Sequence, residues 1–146
     1  MRWLYTGIIF IHVLSVIASI GPYFVFFPLL KTLRTADGKM LQQSLAIFRF
    51  VVWLTKHAGH ILVVSGAILW IWGGYPLLTT WIAVPVTILL GGLFFLVRAF
   101  SPTLRALEQG TIGREAAIKR LTRSTLIYLL VLTISLWFMI AKPVWW

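Results

Sequence analysis

Residues 77–97 read LLTTWIAVPVTILLGGLFFLV, a stretch without a single charged side chain. A helix needs about 20 mostly apolar residues to cross the hydrocarbon core of a bilayer, and this stretch has that length. Three further apolar stretches cover residues of about 3–30, 48–72 and 123–141. Backbone that faces lipid must satisfy its own hydrogen bonds, so each stretch is expected to be an α-helix. The sequence predicts an all-α, membrane-embedded four-helix bundle, with residues 1–146 forming a single transmembrane domain.

Charge placement predicts how the bundle is oriented. The chain carries 13 Lys and Arg against 3 Asp and Glu, and all of the basic residues except Arg2 and Lys142 lie within residues 31–56 or 98–123. Basic residues are retained on the cytoplasmic side of a membrane, so both windows are expected there. The spans would then be antiparallel, up-down-up-down, with the N and C termini on the outer side. Tryptophans are expected at the outer interface, namely Trp3, Trp70, Trp72, Trp81, Trp137, Trp145 and Trp146.

Composition excludes several classes of function. The chain has no cysteine, so disulfides, thiolate metal sites and covalent haem attachment are ruled out. The three acids, Asp37, Glu108 and Glu115, lie in the basic windows, so no carboxylate is available within a span for a proton relay. The net charge of +10 belongs to residues that border spans and not to a nucleic-acid surface. The expected location is the bacterial cytoplasmic membrane, with the lipid bilayer, and anionic lipids at the cytoplasmic loops, as partners.

Turn signals divide the chain between and within the spans. Gly21-Pro22 is expected to kink the first span, because proline frees a backbone carbonyl one turn earlier. Asp37-Gly38 indicates a turn in the first basic window. Ser101-Pro102 is typical of a helix start, with proline at the first helical position. Gly110 and Gly113 are expected to break the chain before the fourth helix begins.

Three histidines carry the most chemical information, because ionisable groups within spans are rare and usually functional. His12 lies about 14 Å from the outer end of its span, and His60 about 18 Å from Trp72, at 1.5 Å rise per residue. At such similar depths His12 and His60 are predicted to face each other across antiparallel helices. His57 lies one helical turn from His60, towards the cytoplasm.

Three interpretations of these histidines remain open. The sequence favours haem b bound between spans, with His12 and His60 as its ligands. The alternatives are a copper or similar metal site at His12 and His60, or hydrogen bonds to neighbouring helices with no cofactor. Each span also has one more polar face, expected to line the bundle interior. In the second span that face includes Arg49, Trp53, Lys56 and His60, and in the third Thr87, Gly91, Phe94 and Arg98. In the fourth span it consists of Thr125, Tyr128, Leu132, Ser135, Met139 and Lys142. Arg49, Lys56 and Arg98 are therefore candidates to pair with haem propionates.

Short motifs spread over the whole chain carry a resemblance. They are His-Val-Leu-Ser (His12–Ser15), Gly21-Pro22, Phe-Pro-Leu-Leu (Phe27–Leu30), Pro-Thr-Leu-Arg (Pro102–Arg105) and Met-Ile-Ala-Lys-Pro (Met139–Pro143). The chain resembles an uncharacterised family of small four-helix bacterial integral membrane proteins. More distantly it is similar to the CopD copper-resistance proteins and to HemJ-type protoporphyrinogen oxidases.

The resemblance implies a membrane protein with a redox-associated or metal-handling role. Similarity to HemJ-type proteins implies that His12 contacts haem b and that Lys142 corresponds to their terminal lysine. Residues 77–97 lack the histidine and lysine that those oxidases have in the third span, which leaves enzyme activity open. Similarity to CopD implies copper handling by His12 with His57 or His60. A homodimer or a membrane redox partner is the expected protein partner.

Overall fold

The computed structural model describes residues 1–143, which are helical apart from short turns. Six α-helices follow one another in the order α1 (Arg2–Ile20), α2 (Phe26–Leu33), α3 (Gly38–Gly73), α4 (Thr80–Ala99), α5 (Ser101–Glu108) and α6 (Arg114–Ala141). Four helical units are long and apolar enough to cross a membrane, namely Arg2–Leu33, Gly38–Gly73, Thr80–Glu108 and Arg114–Ala141. The prediction of an all-α chain with four apolar helices is confirmed. Trp145 and Trp146 lie outside the described residues.

Proline and glycine shape the first unit as their chemistry predicts. A 3₁₀ helix, Gly21–Val25, joins α1 to α2 and carries Pro22 in its first turn. Proline cannot donate the hydrogen bond that an α-helix needs at this position, so the helix tightens there.

Two glycines occupy turn conformations elsewhere in the chain. Gly38, at the start of α3, and Gly110, after α5, have positive φ values of 54° and 68°. These are backbone conformations that glycine adopts without strain.

Two helices begin earlier along the chain than the apolar stretches predict. α3 starts at Gly38 rather than near residue 48, and α6 starts at Arg114 rather than near residue 123. The apolar stretch reports the thickness of hydrocarbon, whereas the helix continues through a polar segment for as long as its residues favour helix. The connection between α2 and α3 is therefore only a short turn around residues 34–37.

The bundle is built from two tightly packed pairs of helices. α1 packs mainly against α3, and α4 mainly against α6, while fewer contacts join α3 to α4. An aromatic cluster joins the two pairs and consists of Tyr23, Phe26, Phe48, Phe100 and Tyr128, each at most 4% exposed. The rings of Phe26 and Phe48 lie 4.2 Å apart, and those of Tyr23 and Tyr128 stack at 4.5 Å. Large aromatic side chains therefore fill the centre of the bundle.

All three acidic residues pair with arginines across the two basic windows. Arg114 contacts Asp37 at 2.9 Å, Arg34 contacts Glu115 at 3.3 Å, and Arg49 contacts Glu108. These pairs are largely solvent-exposed, and exposed pairs contribute at most about 1 kcal/mol each. They bring the two basic windows together at one end of the bundle.

The outer surface is apolar, which fits a bilayer. Trp3, Leu130 and Ile140 are 86%, 62% and 74% exposed, and many other large apolar side chains also point outward. Exposing this surface to water would cost about 25 cal/mol for each Å² of apolar area. The described residues therefore have the apolar surface and the four apolar helices expected of an integral membrane protein, and their ion pairs lie at one end of the bundle.

The buried hydroxyl of Thr125 gives a first testable prediction. Thr125 is fully buried on α6, and its Oγ1 has no hydrogen-bond partner among residues 1–143. A buried hydroxyl without a partner costs about 1–3 kcal/mol, so Thr125→Val is expected to raise the free energy of unfolding by about 1 kcal/mol. The control is Thr103→Val, because Thr103 is also buried but its Oγ1 donates to the Ala99 carbonyl at 2.9 Å. Denaturant unfolding in detergent measures the free energy of unfolding of both variants. A marked loss of stability in Thr125→Val would contradict the prediction.

Candidate functional site

The polar face of the second span is on the outside of the bundle, so its predicted inward orientation is wrong. Arg49, Trp53, Lys56 and His60 are exposed. The face of α3 that is buried carries small and apolar residues, namely Phe48, Val51, Thr55, Ala58, Gly59, Leu62 and Ser65. Close packing selects residues that let helices approach, and polarity does not identify that face.

The predicted inward face is wrong for the third span and partly right for the fourth. On α4 the predicted inward residues Thr87, Gly91, Phe94 and Arg98 are exposed, and Ile82, Pro85, Gly92 and Leu96 are buried instead. On α6 the predicted Thr125, Tyr128 and Leu132 are buried, whereas Ser135 and Met139 are half-buried and Lys142 is exposed. The first half of this face points inward because Tyr128 and Leu132 pack in the hydrophobic core.

His12 lies at the contact between α1 and α3. Its Nδ1 is 3.0 Å from the Ser65 Oγ, and its ring lies against Gly66, where an added Cβ would be 3.1 Å from the His12 Cε1. The Ser65 hydroxyl is also 2.7 Å from the Ile61 carbonyl, to which it can donate its single hydrogen. In that arrangement the His12 Nδ1–H donates to Ser65. The small pair Ser65-Gly66 makes room for the ring, and is the sequence signal that could have identified this contact.

His57 and His60 lie together on the exposed surface of α3. Their ring centroids are 6.3 Å apart, with an angle of 50° between the ring planes. The His57 Nδ1–H donates to the Trp53 carbonyl at 2.8 Å, and the His60 Nδ1–H donates to the Lys56 carbonyl at 2.6 Å. A carbonyl oxygen can only accept, so each Nδ1 carries the hydrogen. In the neutral imidazoles both Nε2 lone pairs are therefore free to bind a metal.

Two neighbours complete what we call the histidine face, defined as Trp53, Lys56, His57 and His60. The Trp53 ring lies 4.2 Å from the His57 ring, centroid to centroid, and is itself 55% exposed. Lys56 is exposed, lies one helical turn from His60, and forms no ion pair among residues 1–143. The face thus offers two imidazole nitrogens, an aromatic surface and a free positive charge within about two turns of α3.

The remaining predicted site residues lie apart from one another. The Arg98 guanidinium covers the Phe94 ring near the end of α4, at 4.8 Å. Lys142 follows α6 with a positive φ of 46°, and its Nζ lies 5.2 Å from the Trp81 ring. Among the described residues the ring neighbour of His60 is His57, and His12 contacts Ser65 instead of the predicted His60.

The donor chemistry of the histidine face fits a haem axial ligand or part of a copper site. Neutral imidazole with Nδ1 hydrogen-bonded and Nε2 free is the form that binds iron or copper. Within residues 1–143 no group of three or more metal-binding side chains is assembled, so one chain supplies at most two imidazoles to one ion here. A porphyrin needs fewer protein ligands than a bare metal ion, because its own nitrogens provide four. Comparison with known proteins gives no match to any family model, curated protein or solved structure.

Proposed function

We propose that the chain is a haem b-binding protein of the bacterial cytoplasmic membrane, in a redox-associated role. The observation that supports it best is the histidine face, where two imidazoles present free Nε2 atoms on a surface surrounded by apolar side chains. Ionisable side chains are costly on a lipid-facing surface and are rare without a function there. A bound apolar macrocycle would shield these groups from the acyl chains.

The proposal gives each residue of the histidine face a role. His60 would hold the haem iron through its Nε2, since its Nδ1–H donates to the Lys56 carbonyl and fixes the direction of Nε2. Lys56 pairs with a haem propionate as a charge-assisted contact. Trp53 and His57 pack against the porphyrin. When bound, haem b would supply one-electron chemistry, and the protein residues hold and orient it.

A second copy of the chain is part of the proposal. The histidine face is exposed along one side of α3, so a porphyrin bound there would have its far side uncovered. Homodimers are the commonest assemblies, and a two-fold contact would place the same face on both sides. One haem would then be shared by two chains, with one His60 from each.

The orientation of the chain in the membrane completes the proposal. The spans alternate in direction, with both basic windows in the cytoplasm and both termini outside. Tyr5 near the start of α1 lies 6.2 Å from Trp72 near the end of α3, and Lys142 lies over Trp81 at the start of α4. The ion pairs between the basic windows involve the opposite ends of these helices. The excess of Lys and Arg at that end supports its cytoplasmic placement.

Copper handling, as in the CopD-like resemblance, is the second candidate. It is favoured by the spacing of His57 and His60, whose rings lie 6.3 Å apart on adjacent turns. Imidazole binds copper well, and further ligands would have to come from a second chain. Copper would then take the place of haem on the same face.

The test is to measure iron, copper and protohaem in the purified protein from haem-replete cells, for the wild type, His60→Ala and His12→Ala. We expect one protohaem for every two wild-type chains, loss of haem in His60→Ala, and retention in His12→Ala. Copper without haem would favour the second candidate. Full haem content in His60→Ala, with loss in His12→Ala, would contradict the ligand assignment. A wild-type protein that contains neither haem nor copper would contradict both candidates and indicate a structural membrane protein without a cofactor.

A further inference from the structure

A groove between α2 and α6 lies at the end of the bundle where the ion pairs are. It consists of two adjoining cavities, of about 500 and 180 Å³, that share Arg34, Ile118 and Thr122. We call this the basic groove. Its lining includes Phe27 and Lys31 of α2, Arg34 just after that helix, and Lys119, Arg123 and Leu126 of α6.

The basic groove carries an excess of positive charge. The groove is lined by four basic side chains and one carboxylate, which gives it a net charge of +3. The basic residues are Lys31, Arg34, Lys119 and Arg123, and the acid is Glu115. Glu115 contacts Arg34 at 3.3 Å, but both side chains are more than half exposed, so this pair is weak. Among the described residues the three other basic side chains form no ion pair. An anion that enters the groove therefore meets several unneutralised cations.

Polarity changes along the groove in the same direction on both helices. On α6, Leu126 and Ile127 lie one turn beyond Arg123, and no charged residue follows them before Lys142. On α2, Phe27 lies one turn before Lys31, within the apolar part of the first unit. One end of the groove is thus basic, and the other is apolar and continues along the membrane-spanning segments. A phospholipid has this order of chemistry, with an anionic headgroup joined to acyl chains.

We propose that the basic groove is a binding site for one anionic phospholipid. Its phosphate contacts Lys31, Lys119 and Arg123. The phosphate also competes with the Glu115 carboxylate for Arg34. One acyl chain runs along Phe27, Leu126 and Ile127. Basic pockets between membrane helices bind anionic lipid headgroups, and the apolar wall distinguishes this site from one for free phosphate. Bound lipid joins α2 to α6 at this end of the bundle.

The experiment is native mass spectrometry of the purified protein titrated with phosphatidylglycerol. Phosphatidylcholine, whose headgroup is zwitterionic with no net charge, is the reference. The test variant is Lys119→Gln with Arg123→Gln. The matched control is Lys39→Gln with Arg120→Gln, which removes the same charge from exposed positions outside the groove. We expect phosphatidylglycerol to bind at least tenfold more tightly than phosphatidylcholine, and the test variant to lose at least tenfold in affinity while the control loses less than threefold.

Three outcomes would overturn the proposal. Equal losses in the test and control variants would mean that net charge, and not the groove, attracts the lipid. Equal binding of the two lipids would mean that the groove does not select a headgroup of net negative charge. Displacement of phosphatidylglycerol by millimolar inorganic phosphate would identify a phosphate site without a contribution from the acyl chain. Circular dichroism of each variant establishes that the helices are retained.

Discussion

Phe26→Ala is expected to lower the free energy of unfolding by about 3 kcal/mol. Phe26 is fully buried, and its ring lies 4.2 Å from the Phe48 ring, 4.9 Å from Tyr23 and 5.8 Å from Phe100. Lipid is as apolar as a protein interior, so little of this loss comes from transfer to another medium. It comes from the cavity left in the aromatic cluster, whose walls lose their contacts.

The control for this prediction is Phe24→Ala, in the 3₁₀ helix that directly precedes α2. Phe24 is 60% exposed, and its only ring neighbour among residues 1–143 is Phe27, at 6.4 Å. Removing its ring leaves no cavity, so stability is expected to change by less than about 0.5 kcal/mol. Unfolding by denaturant in detergent micelles measures both variants. Similar losses for Phe24→Ala and Phe26→Ala would mean that the aromatic cluster is not the centre of the bundle.

Gly66→Leu is expected to separate α1 from α3 and to cost about 1–3 kcal/mol. A Cβ at position 66 would already lie 3.1 Å from the His12 Cε1 and 3.6 Å from its Nδ1. The further carbons of leucine would occupy the space of the imidazole, so the ring must leave Ser65. α1 and α3 would then lose the hydrogen bond between His12 and Ser65.

Gly91→Leu is the matched control, because it makes the same substitution within another span. Gly91 is exposed, and a Cβ there would meet nothing within 4 Å. Stability is expected to be unchanged, or raised by as much as about 1 kcal/mol, since leucine favours helix more than glycine does. The same unfolding measurement compares the two variants. A harmless Gly66→Leu would contradict the packing of His12 between α1 and α3.

The sequence predicts the helices well, because its strongest signals are local. Long apolar stretches give the four spans, and the proline at position 22 gives the break in the first unit. The glycines at positions 38 and 110 give the turns. Each of these effects depends on a few neighbouring residues and on the thickness of a bilayer, so no knowledge of the tertiary contacts is needed.

Which face of a helix points inward is predicted less well. In water, a polar stripe and a buried stripe exclude each other, but a membrane helix is apolar on nearly every side. α3 therefore turns its small residues Gly59 and Ser65 inward and leaves Lys56 and His60 exposed. The aromatic cluster is also not apparent from the sequence, because it depends on contacts between four separate helical segments.

The histidines show the same difference between local spacing, which the sequence predicts, and the orientation of helix faces, which it does not. The sequence identifies His57 and His60 as neighbours, since a spacing of three residues places them on adjacent turns. It pairs His12 with His60 from their depths alone, whereas in the structure His12 meets Ser65. Depth follows from counting residues, but the rotation of each helix about its axis depends on how the bundle packs.

The visible absorption spectrum of the detergent-purified protein tests haem binding at the histidine face. The reduced-minus-oxidised difference is measured for the wild type and for His60→Ala. We expect a Soret band with sharp reduced α and β bands in the wild type, and their loss in His60→Ala, while circular dichroism of the variant retains its helical signal. A wild-type spectrum without these bands, from haem-replete cells, would contradict the claim that the histidine face binds haem b.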